Sequence, residues 1–143
     1  MIKYVVAFLM LLQLSPATRA GETRELTMYK RPYCSCCDGH ADHLRANGFR
    51  VTVIQSENMS LIKQRHGVPQ ELEGCHTILV DGYVVEGHVP ARVIDKLLAE
   101  RPDIRGISLP GMPDGSPGMG GEKTEPFEIY KITGGAPQLF ATD

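Results

Sequence analysis

The chain has 143 residues, 15 Lys and Arg against 17 Asp and Glu, a net charge of −2 and no Trp. With no basic stripe and only 6% aromatic residues, neither phosphate neutralisation nor base stacking has much to work with, which argues against a nucleic-acid partner. The length suits one compact domain rather than two.

Residues 1–20 have the layout of a secretory signal. Lys3 gives a positive start, Tyr4–Leu14 is an apolar run broken only by Gln13, and Ser15-Pro16-Ala17-Thr18-Arg19-Ala20 ends in small residues. The run is well short of the roughly 20 residues a membrane span needs. Cleavage after Ala20 is expected to leave a single domain over residues 21–143, with no membrane attachment. Without Lys3 and Arg19 the 15 basic residues fall to 13 against 17 acidic ones, a net charge of −4.

In chain order, Leu26–Tyr29 is a strand candidate, followed by a loop with Pro32. From Ser35 to Asn47 the pattern is helical, with Cys37, His40, Ala41 and Leu44 on one side and Gly48 past the last turn. Phe49–Ile54 reads as a second strand, which makes a βαβ unit with parallel strands. A short helix is expected at Met59–His66, stopped by Gly67 and Pro69. Thr77–Val80 and Tyr83–Glu86, joined by Asp81-Gly82, read as an antiparallel hairpin. Pro90 opens a helix running to about Arg101, with Val93, Ile94, Leu97 and Leu98 inward. The order β-α-β-α-β-β-α predicts an α/β, thioredoxin-like domain with a mixed central sheet and flanking helices. Residues 102–143 read as a Gly/Pro/Met-rich extension packed on it. Leu109–Gly121 is an irregular loop, Glu128–Ile132 an edge strand, and Gln138–Ala141 a final strand.

Three of the four cysteines fall in Cys34-Ser35-Cys36-Cys37, between the first strand and the first helix. At a helix start, outward N–H groups and the positive dipole end favour thiolate over thiol. Three chemistries stay open. Cys34 and Cys37 form a C-x-x-C pair suited to reversible disulfide exchange. The clustered thiolates suit a soft ion such as Cu(I). In an oxidising compartment four cysteines could also be two structural bridges. Three cysteines packed this tightly cannot all staple distant segments, which weakens the last reading. The fourth, Cys75, precedes the Thr77–Val80 strand. In a thioredoxin-like fold that loop faces the helix start, and Cys75-His76-Thr77 lacks the proline often found there. Cys75 and His76 are therefore candidate ligands.

His40 shares a helical face with Cys36 and Cys37. His43 reads as solvent-facing, His66 as a helix-end residue, and His88 sits at a helix entrance. Met112 and Met119 lie in the Gly/Pro loop without periodicity, so they read equally as apolar anchors and as soft thioether ligands.

Four blocks in order carry a resemblance over nearly all of residues 21–143. They are Tyr33-Cys34-Ser35-Cys36-Cys37; Gly74-Cys75-His76-Thr77 with Val80-Asp81-Gly82-Tyr83; Val85-Glu86-Gly87-His88-Val89-Pro90; and Gly111-Met112-Pro113 with Gly115-Ser116-Pro117-Gly118-Met119. Together they resemble the CopG-like family of periplasmic, thioredoxin-like copper-resistance proteins, formerly a domain of unknown function. The resemblance implies copper, Cu(I) or Cu(II), held at Cys34, Cys36 and Cys37 with Cys75 as neighbour, as a multi-copper cluster in the fullest case. It also implies a periplasmic location, a role in interconverting Cu(I) and Cu(II) as a copper oxidoreductase, and other periplasmic copper-handling proteins as partners. His76, Met112 and Met119 carry over as further ligand candidates. The alternatives are a thiol–disulfide oxidoreductase of exported proteins and a passive copper carrier.

Overall fold

The computed structural model describes residues 24–143, so the expected signal at residues 1–20 lies outside the described residues. β1 (Arg24–Lys30), α1 (Ser35–Ala46) and β2 (Phe49–Gln55) form the expected parallel βαβ unit, with Leu26 opposite Val51 and Met28 opposite Val53. α2 (Met59–Arg65) follows, its first turn capped by the Asn58 side chain, which accepts from the Leu61 N–H. β3 (Thr77–Val80) and β4 (Tyr83–Glu86) form the hairpin. Asp81 and Gly82 both have positive φ, the backbone a tight two-residue hairpin needs. α3 (Ala91–Glu100) begins just after Pro90 and ends on Arg101 in a left-handed conformation.

Three features go beyond the sequence reading. A single-turn 3-10 helix occupies Gln70–Leu72. β5 (Gly106–Ser108) pairs parallel with β4, so β4, α3 and β5 make a second strand–helix–strand crossover. β6 (Glu128–Ile132) is correct in extent but is not an edge strand: β5 lies on one side and β7 (Gln138–Thr142) on the other. The neighbour that makes β6 internal is β5, whose three residues Gly-Ile-Ser are too few to show a period. The sheet has seven strands in the order β2-β1-β3-β4-β5-β6-β7. The mixed α/β architecture is as expected, and its β2-β1-β3-β4 portion is compatible with a thioredoxin-like core.

Side chains alternate across each strand, which sorts the sheet into two faces. Leu26, Met28, Ile78, Val80 and Val85 pack with Cys37, Ala41 and Leu44 of α1 and with Val93, Ile94 and Leu97 of α3. Val84 and Ile132 turn the other way, onto Val68 and Leu72 after α2. Register places Thr77 opposite Glu86, and by alternation both share the face of Val84. This alternation decides what flanks Cys75.

Candidate metal centre

β1 ends at Lys30, a lysine only 2% exposed. Its ammonium donates to the Cys34 carbonyl at 3.2 Å and pairs with Asp38 at 2.8 Å, which ties the first turn of α1 to the sheet. Tyr33, fully exposed and at positive φ, turns the chain sharply into that helix. Cys34 occupies the position before the first helical residue, Cys36 is partly exposed, and Cys37 is fully buried under the first turn. Cys34 and Cys37 are joined in a disulfide, while Cys36 and Cys75 are free thiols.

The loop into β3 delivers Cys75 onto this turn. Its sulfur lies 3.4 Å from that of Cys34, 3.3 Å from Cys37 and 3.7 Å from Cys36, and Cys34 and Cys36 are 3.5 Å apart. All four sulfurs therefore fall within 4.8 Å of one another.

A buried ion pair holds the loop in place. Lys63 of α2 pairs with Glu86 of β4, at 5% and 0% exposure. The Lys63 ammonium also donates to the Gly74 carbonyl at 3.1 Å and reaches the Thr77 hydroxyl at 3.4 Å. Glu86 in turn accepts from the Gly74 N–H at 2.8 Å and the Thr77 hydroxyl at 2.7 Å. The residues on either side of Cys75-His76 are thus clamped to one carboxylate and one ammonium. Burial raises the Glu86 pKa, although Lys63, Gly74 and Thr77 all pull it down.

The Cys75 pKa is pushed up to about 11, first by burial and then by its hydrogen bond to Cys36, with Lys63 opposing. Beside the disulfide it is a thiol at neutral pH. Binding a cation as thiolate there must release a proton.

Below the sulfurs lies a second group that the sequence reading did not assemble. His40 of α1, His76 and His88 are all fully buried, and one ring nitrogen from each lies within 4.8 Å of the others. His40 Nε2 is 2.9 Å from the Val89 carbonyl and His88 Nδ1 is 2.8 Å from the Pro117 carbonyl. A carbonyl only accepts, so both of those nitrogens carry hydrogen and donate. His40 Nδ1 is then a bare lone pair, and it accepts from His76 Nε2 at 2.7 Å. His76 Nδ1 and His88 Nε2 have no hydrogen-bond partner among the described residues.

Burial is the main cause that keeps these rings neutral. The His40 pKa is lowered to about 3, with His88 and His43 adding repulsion and the Val89 carbonyl opposing. His76 lies well below the ordinary imidazole range, helped down by His40, His88, Lys63 and Lys30. His88 is lowered too, against the pull of the Pro117 carbonyl. Partly exposed His43 is lowered by burial and Arg92.

In the unfolded chain these rings take up protons near pH 6.5, so below that pH the unfolded state binds more protons than the folded one, in the case of His40 down to about pH 3. Stability present above pH 6.5 is therefore lost as the pH falls, by about 1.4 kcal/mol per pH unit for each fully shifted ring. Glu86, whose pKa is raised, acts in the opposite sense but is one group against three. The melting temperature of the metal-free protein, followed by calorimetry, should fall steeply below pH 6.5. A flat or rising profile would contradict the neutral triad.

The structure thus brings Cys34, Cys36, Cys37 and Cys75 together and groups His76 with His40 and His88. Met112 is 56% exposed, and Met119 is partly buried. Both belong to the loop that crosses the start of α1. A Cβ on Gly118 would come within 2.3 Å of the His40 backbone nitrogen and 2.5 Å of the Cys36 carbonyl, and Gly118 has φ +86°. Only glycine lets the loop lie this flush on the turn that carries the cysteines. His40 was legible only as one position on a helical face, and His88 carried no spacing signal, because its partners come from separate segments.

Fold and site together define a small α/β domain built to hold four sulfurs at a helix start. The family model for "protein of unknown function, DUF411" matches residues 72–119, a stretch that includes Cys75 and ends on Met119. Two solved structures of copper resistance protein CopG are similar along most of the chain. Form 2 is 41% identical with a TM-score of 0.79, covering 85% of this chain and 99% of its own. Form 1 is 41% identical with a TM-score of 0.78, covering 85% of this chain and 98% of its own. No curated protein matches the chain. The chain belongs to the CopG family of copper resistance proteins.

Proposed function

We propose that the protein is an exported, periplasmic copper-handling protein that binds Cu(I) through Cys34, Cys36, Cys37 and Cys75 and interconverts Cu(I) and Cu(II). The observation that carries this reading is the seating of the Cys75 sulfur, 38 residues from Cys37 in sequence, against all three sulfurs of the helix start. Clustered thiolates are the donors a soft monovalent ion prefers, and sulfurs this close can bridge more than one ion. The copper resistance relatives support the ion's identity. The thioethers of Met112 and Met119, on the loop across α1, complete the coordination in this reading. Other periplasmic copper-handling proteins would deliver and receive the ion.

The disulfide supplies the electron balance. Oxidising the Cys34 and Cys37 thiols forms their S–S bond and releases two protons and two electrons, which reduce two Cu(II) to two Cu(I). The reverse breaks the bond, takes up two protons and returns two Cu(II). Cys36 and Cys75 stay outside the disulfide throughout and, as thiolates, can keep hold of an ion while the pair cycles.

The same disulfide also favours a second reading, thiol–disulfide exchange on exported proteins, in which Cys36 is dispensable. Anaerobic loading of the reduced protein separates the readings. At least one tightly held Cu(I) per chain, lost on Cys36→Ser, is the expected result. Insulin reduction that survives Cys36→Ser, with no retained copper, would replace the copper reading with thiol exchange. Retained Cu(I) with no electron exchange with added Cu(II) would reduce it to a passive carrier.

A further inference from the structure

We infer that His40, His76 and His88 form a second metal site, built for a divalent cation of borderline character with Cu(II) preferred, and chemically distinct from the sulfur cluster. The inference leans on the proposed copper role only for which ion arrives. The site itself follows from the three rings.

Three histidines in a protein interior are ordinarily a hydrogen-bonded core, and that arrangement leaves no lone pair idle. Here two are idle: His76 Nδ1 and His88 Nε2 are buried without partners among the described residues. A buried acceptor left unpaired costs about 1–3 kcal/mol, so two of them in one cluster need a reason. The hydrogen bonds that do exist are the ones a ligating imidazole uses. His40 gives its Nε2–H to the Val89 carbonyl, and His88 gives its Nδ1–H to the Pro117 carbonyl. Each bond fixes the tautomer and aims the opposite, bare nitrogen at the other rings, the usual outer support of a metal-bound histidine.

The remaining contact is a competition. The His76 N–H occupies the His40 Nδ1 lone pair at 2.7 Å, so a cation entering the triad must displace it and leave His76 bound through a ring nitrogen. Imidazole donors favour Cu(II) above Zn(II) in the divalent series, whereas the adjacent thiolates favour Cu(I). Two covalent links join the two donor sets: the Cys75–His76 peptide bond, and one turn of α1 from Cys36 to His40. An ion that changes valence would therefore find a matching donor set one residue away.

The test uses the Cys36→Ser/Cys75→Ser protein with the Cys34–Cys37 disulfide intact, which removes both free thiols and leaves the triad. One equivalent of Cu(II) should give an electron paramagnetic resonance spectrum with hyperfine coupling to imidazole nitrogens. Affinity, read by competition with a chelator, should drop at least about tenfold on His88→Gln. Because substitutions at buried histidines can unfold the chain, a second measurement uses the unsubstituted, disulfide-bonded protein labelled with nitrogen-15. Zn(II) alone should shift one ring nitrogen of each of His40, His76 and His88 and leave His66 unmoved. A Cu(II) signal with oxygen neighbours only, or Zn(II) leaving the three rings unshifted, would overturn the site. Loss of Cu(I) at the sulfurs with these nitrogen signals retained would sink the proposed function and leave this inference standing.

Discussion

Replacing Glu86 by alanine is expected to destabilise the protein by about 3–5 kcal/mol, the range for leaving a buried charge unpaired. The change strands the Lys63 ammonium at 5% exposure and removes the acceptor used by the Gly74 N–H and the Thr77 hydroxyl. The effect should not stop at stability. Gly74 and Thr77 flank Cys75-His76, so loosening them frees the sulfur and the imidazole that the loop before β3 brings to the site. Urea unfolding of the metal-free protein measures the first effect. The Glu86→Gln/Lys63→Met double variant should recover part of it, because no charge is then left buried without a partner. A loss of less than about 1 kcal/mol for Glu86→Ala would mean that the pair is not what holds the loop.

The second large effect is on copper. Cys75→Ser is expected to lower Cu(I) affinity of the reduced protein by at least about 100-fold, at or above the top of the range for losing a mere supporting partner. Stability should change little, since Cys75 is half-buried and serine fills nearly the same space. The comparison is a competition titration against a Cu(I) chelator, with Cys36→Ser alongside. Binding as thiolate requires the Cys75 proton to leave, so the affinity should also rise with pH. Unchanged affinity in Cys75→Ser would confine any copper site to Cys34, Cys36 and Cys37 at the start of α1.

Much of this was legible in the residues because the signals were local. The Cys34-Ser35-Cys36-Cys37 cluster before an amphipathic run, the Asp81-Gly82 hairpin and the strand expected at Phe49–Ile54, observed as Phe49–Gln55, each announce themselves within about ten residues. The approach of Cys75 to the cluster followed from topology: a βαβ unit and an antiparallel hairpin bring the loop before β3 against the start of α1. β5 stayed hidden because three residues cannot show a period of two, and with it went the internal position of β6. The histidine triad was harder. His40, His76 and His88 come from a helix, a loop and a junction, and nothing in their spacing reveals that Gly118 lets a distant loop close over them. The glycines in that loop read as flexibility, whereas Gly118 is a close contact.

Copper-edge X-ray absorption of the anaerobically loaded protein reads the sulfur site itself, because one spectrum reports valence and nearest neighbours together. The expected result is a Cu(I) edge with sulfur dominating the neighbours and at least three sulfurs per ion, falling on Cys75→Ser. A Cu(II) edge with only nitrogen and oxygen neighbours in the reduced protein would contradict a site built from Cys34, Cys36, Cys37 and Cys75.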